Sequence, residues 1–315
     1  MTTTRKTILK LCLLAAGTAL VSLALAQQSA PSSTDTGQRT FSSAKHAADA
    51  LYEAAKANDQ GLIQVILGPD ANDVISSGDP VADENARASF VKKYSQKHTL
   101  VVAKGKGSNE LQIGNDSWPF PIPIKQENGR WSFDSAAGKG EILARRIGRN
   151  ELATIRSCRV FVQAQREYAG QSRDGEPAGL YAARLRSDPG KQNGLYWEVK
   201  EGEQPSPLGP LMAEATSEGY GQSGGKNPFH GYYYRLITSQ GAAAPGGAKS
   251  YLEDGRLKRG FALLAFPAEY RVSGIMTFIV SQQGRVYQRD FGANTSQIAY
   301  QLQEYNPDKS WKLVQ

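Results

Sequence analysis

Thiols are scarce in this sequence: its 315 residues hold two cysteines, Cys12 and Cys158. Cys12 lies in the apolar stretch 11–23, so a chain trimmed after residue 26 keeps one thiol and forms no disulfide within itself. A chain of this size can bury enough apolar surface to do without one. Histidine is nearly as rare. His46, His98 and His230 stand apart, none with a second histidine or cysteine at metal-ligand spacing, so neither a metal nor a cofactor is expected. Stretch 11–23 falls short of the ~20 residues that a spanning helix needs. Nothing after it is apolar enough to cross a bilayer.

Strong charge of one sign is also missing. Arg5, Lys6 and Lys10 precede the apolar stretch and Ala24-Leu25-Ala26 follows it, the pattern of a cleaved signal peptide over 1–26. Export is therefore expected, with a periplasmic or extracellular destination. Removing those three from the 37 basic residues leaves 34 against 30 acidic ones, a net of +4. So mild an excess argues for solubility, and no nucleic-acid partner is expected. Residues 27–40 are predicted to be a disordered linker, because 27–38 holds no large apolar side chain.

From Phe41 the chain takes a helical period. Ala44, Ala47, Ala48, Leu51, Ala54 and Ala55 share one face, and Ser42 or Ser43 can cap that helix. A short helix through Ile63, Ile66 and Leu67 stops at Gly68-Pro69, and a third is predicted over 81–97. The period then becomes two. Strands are predicted at 99–103, 110–113, 118–125 and 130–134, with Asn128-Gly129 as a tight hairpin turn. Alternating Pro119, Pro121 and Pro123 suit an edge strand. Asp79, Asp83 and Glu84 cluster near a helix start, where solvated carboxylates are the expected reading and a hard-cation site the alternative.

The stretch "RRIGRNELATIRSCRVFVQAQREYAG" at 145–170 decides the architecture. At 100° per residue Arg145, Arg149, Arg156, Arg159 and Arg166 fall in one row, with Leu152 and Gln163 in its gaps. Ile142, Ile147, Ile155, Cys158, Phe161 and Val162 occupy the wide remaining arc. One long helix from about 141 to 169 is predicted, covered on most sides and wet along the arginine row. The row is expected to snorkel and pair with carboxylates. An anionic partner is the alternative.

Residues 170–228 are rich in turns, with short helices predicted at 180–186 and 211–217. Strands follow at 230–238, 260–267, 274–281 and 284–291, joined as an antiparallel meander. Both faces of 274–281 are apolar, so it should be a central, covered strand. Thr295 is placed as the cap of a last helix. The fold class is α+β, in two domains over 41–138 and 139–315.

Candidate site residues are few. His230 begins a strand beside three tyrosines and is a weak catalytic candidate; a histidine bonded to backbone is the favoured reading. Tyr232, Tyr233, Tyr234 and Trp197 are binding candidates because they join apolar bodies to polar tips. Arg149, Arg156 and Arg159 join them through the basic row. Gly221-Gln222-Ser223-Gly224-Gly225 matches G-x-S-x-G but lacks the strand–turn–helix context, so it is read as a loop.

Three resemblances follow. The element order of 41–138 is similar to the NTF2-like cone fold. "ILGPDANDVISSGDP", "DSWPFPIPI", "RRIGRNELATI", "HGYYYRL" and "FPAEYRVSGIMTFIV" resemble the bacterial secreted family named domain of unknown function 2950, from about residue 41 onward. That resemblance implies an exported or envelope protein and transfers no catalytic residue. It also implies an envelope or membrane-associated partner. "RNELATIRSCRVFVQAQREYA" with "SGIMTFIVSQQGRVYQRD" is similar to the globular head of type IV pilins, although no membrane-embedded stem precedes the helix. The expected function is a non-enzymatic binding or assembly module. An enzyme or small-ligand protein using the N-terminal cavity or His230 is one alternative, and polyanion binding through the arginine row is another.

Overall fold

Alanine spacing seats the first helix. The computed structural model describes residues 37–103, 107–220 and 227–315. Helix α1 (Ala44–Lys56) buries the predicted Ala44, Ala47, Ala48, Leu51, Ala54 and Ala55, and the Ser43 side chain caps it at the His46 N–H. Helix α2 (Gln60–Leu67) ends at Gly68, a short turn leads into α3 (Asn72–Ile75), and α4 spans Pro80–Gln96. A sheet follows: β1 (His98–Val102), β2 (Ser108–Ile113), β3 (Trp118–Pro119), β4 (Ile124–Glu127) and β5 (Arg130–Phe133). Its order is β1-β2-β4-β5, with β3 also paired to β2. Asn128 and Gly129 turn the β4–β5 hairpin with φ of 50° and 74°.

The single strand expected over 118–125 is split. The chain between β3 and β4 bends at Pro121 and Ile122, and α5 (Ser135–Ala169) begins against that bend. A Cβ on Gly138 would lie 2.6 Å from the Pro121 carbonyl oxygen, so only glycine allows the approach. The first apolar core gathers α1, α2, the sheet and aromatic side chains such as Phe133 and Tyr94.

Helix α5 has 35 residues, a length of about 50 Å. The predicted stripe is present: Arg145, Arg149, Leu152, Arg156, Arg159, Gln163 and Arg166 are all exposed, while Cys158, Phe161, Val162 and Ala164 are buried. The buried face also holds Asn150, Thr154, Ser157 and Gln165, which no apolar pattern reveals.

Strands β6 (Tyr232–Ile237), β11 (Ala262–Pro267), β12 (Thr277–Ser281), β13 (Val286–Arg289) and β14 (Lys312–Leu313) form the second large sheet, ordered β14-β13-β12-β11-β6 and antiparallel throughout. Two-residue ribbons flank it: β7 (Ser239–Gln240) with β8 (Lys249–Ser250), and β9 (Leu252–Glu253) with β10 (Arg256–Leu257). Every residue of β12 is buried. Phe278 and Val280 meet the α5 side, and Ile279 meets a third core with Ala299 and Tyr305 on the other face. The described residues from 37 to 315 form one compact unit.

Two local expectations are corrected. No helix forms at 180–186; α6 (Gly209–Ser217) is the helix found after α5 in this region. The buried Gln165 side chain holds the Ala182 N–H and C=O, each at 2.9 Å, while the Tyr181 N–H donates to Leu257. These long-range bonds take the groups that a helix would have paired internally. Helix α7 (Thr295–Gln301) contains Thr295 as its first residue, and no side chain caps it. The Thr295 hydroxyl instead donates backward to the Gly292 carbonyl.

Candidate functional site

The N-terminal half of α5 does not meet the first core on all sides. A cleft of about 630 Å³ opens between α4, the first sheet, α5 and the segment carrying Glu218, Tyr220 and His230. Its inner wall is apolar, with Leu51, Ile63, Leu67, Ile113 and Phe120 among its members. Phe90 and Phe120 are 5.3 Å apart, ring to ring, and Trp118 and Phe120 6.4 Å, so this wall is a packed aromatic surface.

One end is polar. Asp79, fully enclosed, caps α4 at the Ala82 N–H (3.1 Å) and accepts from the Tyr220 hydroxyl (2.9 Å) and the Gly231 N–H (2.8 Å). That one carboxylate ties the start of α4 to residues more than 140 positions later. Asn150, buried on α5, donates to the Ser273 carbonyl at 2.9 Å. Its Nδ2 would lie 2.5 Å from a Cβ on Gly231, whose φ is 74°. Glycine is thus required there on two counts. The next residue on α5, Glu151, accepts from the N–H groups of Ile275 and Met276.

These bonds fix His230 in a left-handed conformation, φ 51°, which costs a non-glycine residue about 1–2 kcal/mol. Its ring lies 4.1 Å from Phe229 and 5.6 Å from Tyr220. Its Nε2 is enclosed and has no hydrogen bond among the described residues. The nearest carboxylate oxygen, on Glu218, is 3.5 Å away, within ion-pair range but without a hydrogen bond. Burial lowers the His230 pKa, against the opposing pull of Glu218, Asp79 and Glu214. The dominant burial effect makes the neutral ring the better description of that contact.

Among the described residues, five Lys and Arg side chains line the cleft, and most are engaged. Lys93 pairs with Asp116 at 2.7 Å, and Arg145 pairs with Glu141 at 2.7 Å while lying over Trp118. The Arg87 Nε donates to Asn58. Arg146 donates to the carbonyls of Asp73 and Val74, both at 2.5 Å, and burial lowers its pKa. Arg149 has no hydrogen bond or ion pair among the described residues. Of the carboxylates lining the cleft, Asp83 accepts from the Ser77 N–H and Glu218 faces His230.

The residues singled out from sequence are dispersed. Arg149 and His230 meet at this cleft. Arg156 pairs with Glu214 at 2.5 Å, outside it, and Arg159 is exposed further along α5. Tyr232 is enclosed and donates to the Met276 carbonyl, Tyr234 donates to Thr154, and Tyr233 packs on Phe266 across the sheet. Trp197 stacks with Arg173, which also lies over Tyr168. Cys158 is fully buried, which pushes its thiol up to about 12. Asp79 and Asp83 are occupied by backbone N–H groups, and no cluster of three metal-ligating side chains exists among the described residues. The G-x-S-x-G match at 221–225 lies outside the described residues. Sequence reading missed Asp79 as a clasp, and Arg146, Asn150, Glu218 and Tyr220 altogether. Asn150 alone carried a signal, a polar residue on the apolar arc of α5.

Comparison with known proteins finds one family. The model for "Protein of unknown function (DUF2950)" matches residues 38–314, nearly all of the described chain. No curated protein and no solved structure matches the chain. Among the described residues no helix is long and apolar enough to cross a membrane.

Proposed function

We propose, from the premise that this chain belongs to the DUF2950 family of proteins of unknown function, that it is an exported binding protein which holds a small, mainly apolar molecule in the α4–α5 cleft. The cavity carries this reading. Its volume of about 630 Å³ lies in the range of small-molecule sites, which are concave, apolar and furnished with a few convergent polar groups. Export is supported by the charged, apolar and small-residue segments in order over 1–26.

The test uses the neutral fluorophore N-phenyl-1-naphthylamine, which brightens in apolar surroundings. Saturable binding to the mature protein is expected. Ala86 is an exposed residue on α4 at the cleft, so Ala86→Trp should abolish that binding while moving stability by no more than about 0.5 kcal/mol. Equal binding by the native protein and the variant would sink the proposal.

A second reading rests on Leu152, which is 70% exposed in the arginine row, with Arg159 free of any ion pair among the described residues. An envelope or membrane-associated protein docking there would be released by Leu152→Asp without change in probe binding. A polyanion finds less to hold. Arg145 and Arg156 already pair with glutamates and Arg166 donates to the Gln282 carbonyl.

A further inference from the structure

The cleft is chemically two-ended. Leu51, Ile63 and Phe120 stand toward the first core, and Arg149, His230 and Glu218 toward the clasp. Arg149 and His230 both line the cleft, and Asn150, next to Arg149, abuts Gly231, next to His230. The engaged state of the other cations decides the charge on offer. Lys93 and Arg145 have carboxylate partners, Arg146 has two carbonyls and Arg87 an amide. Among the described residues lining the cleft, Arg149 is the guanidinium with neither a hydrogen bond nor an ion pair, Arg87 keeps a buried Nη1 without a partner, and the His230 Nε2 is enclosed without a hydrogen bond. A single free guanidinium matches a single negative charge, and its planar fork matches a carboxylate in bidentate fashion.

We infer that the ligand is an amphiphilic acid: an apolar body lying along the aromatic wall and one carboxylate held by Arg149, in the cleft that His230 and Glu218 also line. This rests on the cleft being a small-molecule site. Glu218 then opposes the ligand's charge. Removing its carboxylate strengthens binding, and removing the Arg149 charge weakens it. A residue of purely structural importance would not show opposite signs at two positions.

The experiment displaces bound N-phenyl-1-naphthylamine with dodecanoate, dodecanol and dodecylamine at concentrations below micelle formation. A charged bidentate pair implies that dodecanoate binds tenfold or more tightly than dodecanol, on the order of the worth of a charge-assisted hydrogen bond. Arg149→Gln should erase that preference and leave dodecanol within about twofold of native affinity. Arg149→Lys should restore part of it, since the charge returns without the fork. Glu218→Gln should raise dodecanoate affinity about twofold to fivefold, in line with one exposed like charge removed. If the fluorophore binds but the alcohol and the acid compete equally, the acid assignment is wrong and the small-molecule reading stands. If the amine competes best, the assignment is also wrong. If the fluorophore never binds, both readings fall.

Discussion

The two halves of α5 carry the same kind of pattern and meet different surroundings. In the later half Cys158, Phe161, Val162 and Ala164 are all buried against the second sheet. In the earlier half Ile142, Leu143 and Ile147 are only half-buried. An apolar arc too wide for a surface helix is closed by the second sheet around Cys158, Phe161 and Val162, while Ile142 borders the cleft. The difference shows how to find a site without a motif. An element that prescribes more cover than the fold supplies marks the place where something else provides it.

Truncation should separate the halves most sharply. Phe161 is 2% exposed and meets Phe261 edge to face at 5.5 Å. Phe161→Ala should cost about 3–5 kcal/mol in urea unfolding. Ile142→Ala, at the half-open end, should cost less than about 1 kcal/mol and instead weaken binding of the neutral fluorophore. Equal losses of stability would mean that the cleft wall is as tightly closed as the sheet core, and the contrast between the halves would disappear.

The next largest effect lies where the halves are tied together. Asp79→Ala leaves three donors without their acceptor: the N–H of Ala82, the N–H of Gly231 and the Tyr220 hydroxyl. A loss of about 2–3 kcal/mol is expected, because unmet buried donors carry most of the penalty. Protection of the Gly231 amide against hydrogen exchange should fall in the same variant. An unchanged Gly231 amide would show that Asp79 caps α4 and does nothing more.

That clasp also explains which parts of the molecule were legible from sequence. The arginine row, the alanine face of α1 and the covered strand β12 follow from periodicity, which is local and repeats. The clasp joins Asp79 to Gly231, 152 positions away, through one side chain, and no period encodes a single long-range bond. The failed helix at 180–186 has the same cause. Its residues suit a helix locally, and Gln165 takes the Ala182 backbone groups first. Tyr232, Tyr233 and Tyr234 stand out in the sequence as a run of binding candidates, yet a strand alternates its side chains. Tyr232 and Tyr234 consequently face the α5 core and Tyr233 the third. His230 was conspicuous by rarity, and its consequence came from the left-handed turn that places its ring in the cleft.

The smallest expected effect is a slope. Burial lowers the His230 pKa below 6.5, with Arg156 adding to it and Glu218, Asp79 and Glu214 opposing it. The folded chain therefore holds that proton less tightly than the unfolded chain. The sign follows: the contribution to stability is fully present above the unfolded value and is lost as pH falls through it toward the folded value. His230→Asn keeps a side chain that tolerates positive φ and removes the titrating group. The variant should show a shallower decline in stability between about pH 7 and pH 5 than the native protein. Saturating dodecanoate should make the native decline shallower, because its carboxylate favours the protonated ring and so raises the folded-state pKa toward the unfolded value. An identical slope in both proteins would assign the decline to other groups and leave His230 as packing at the end of the cleft.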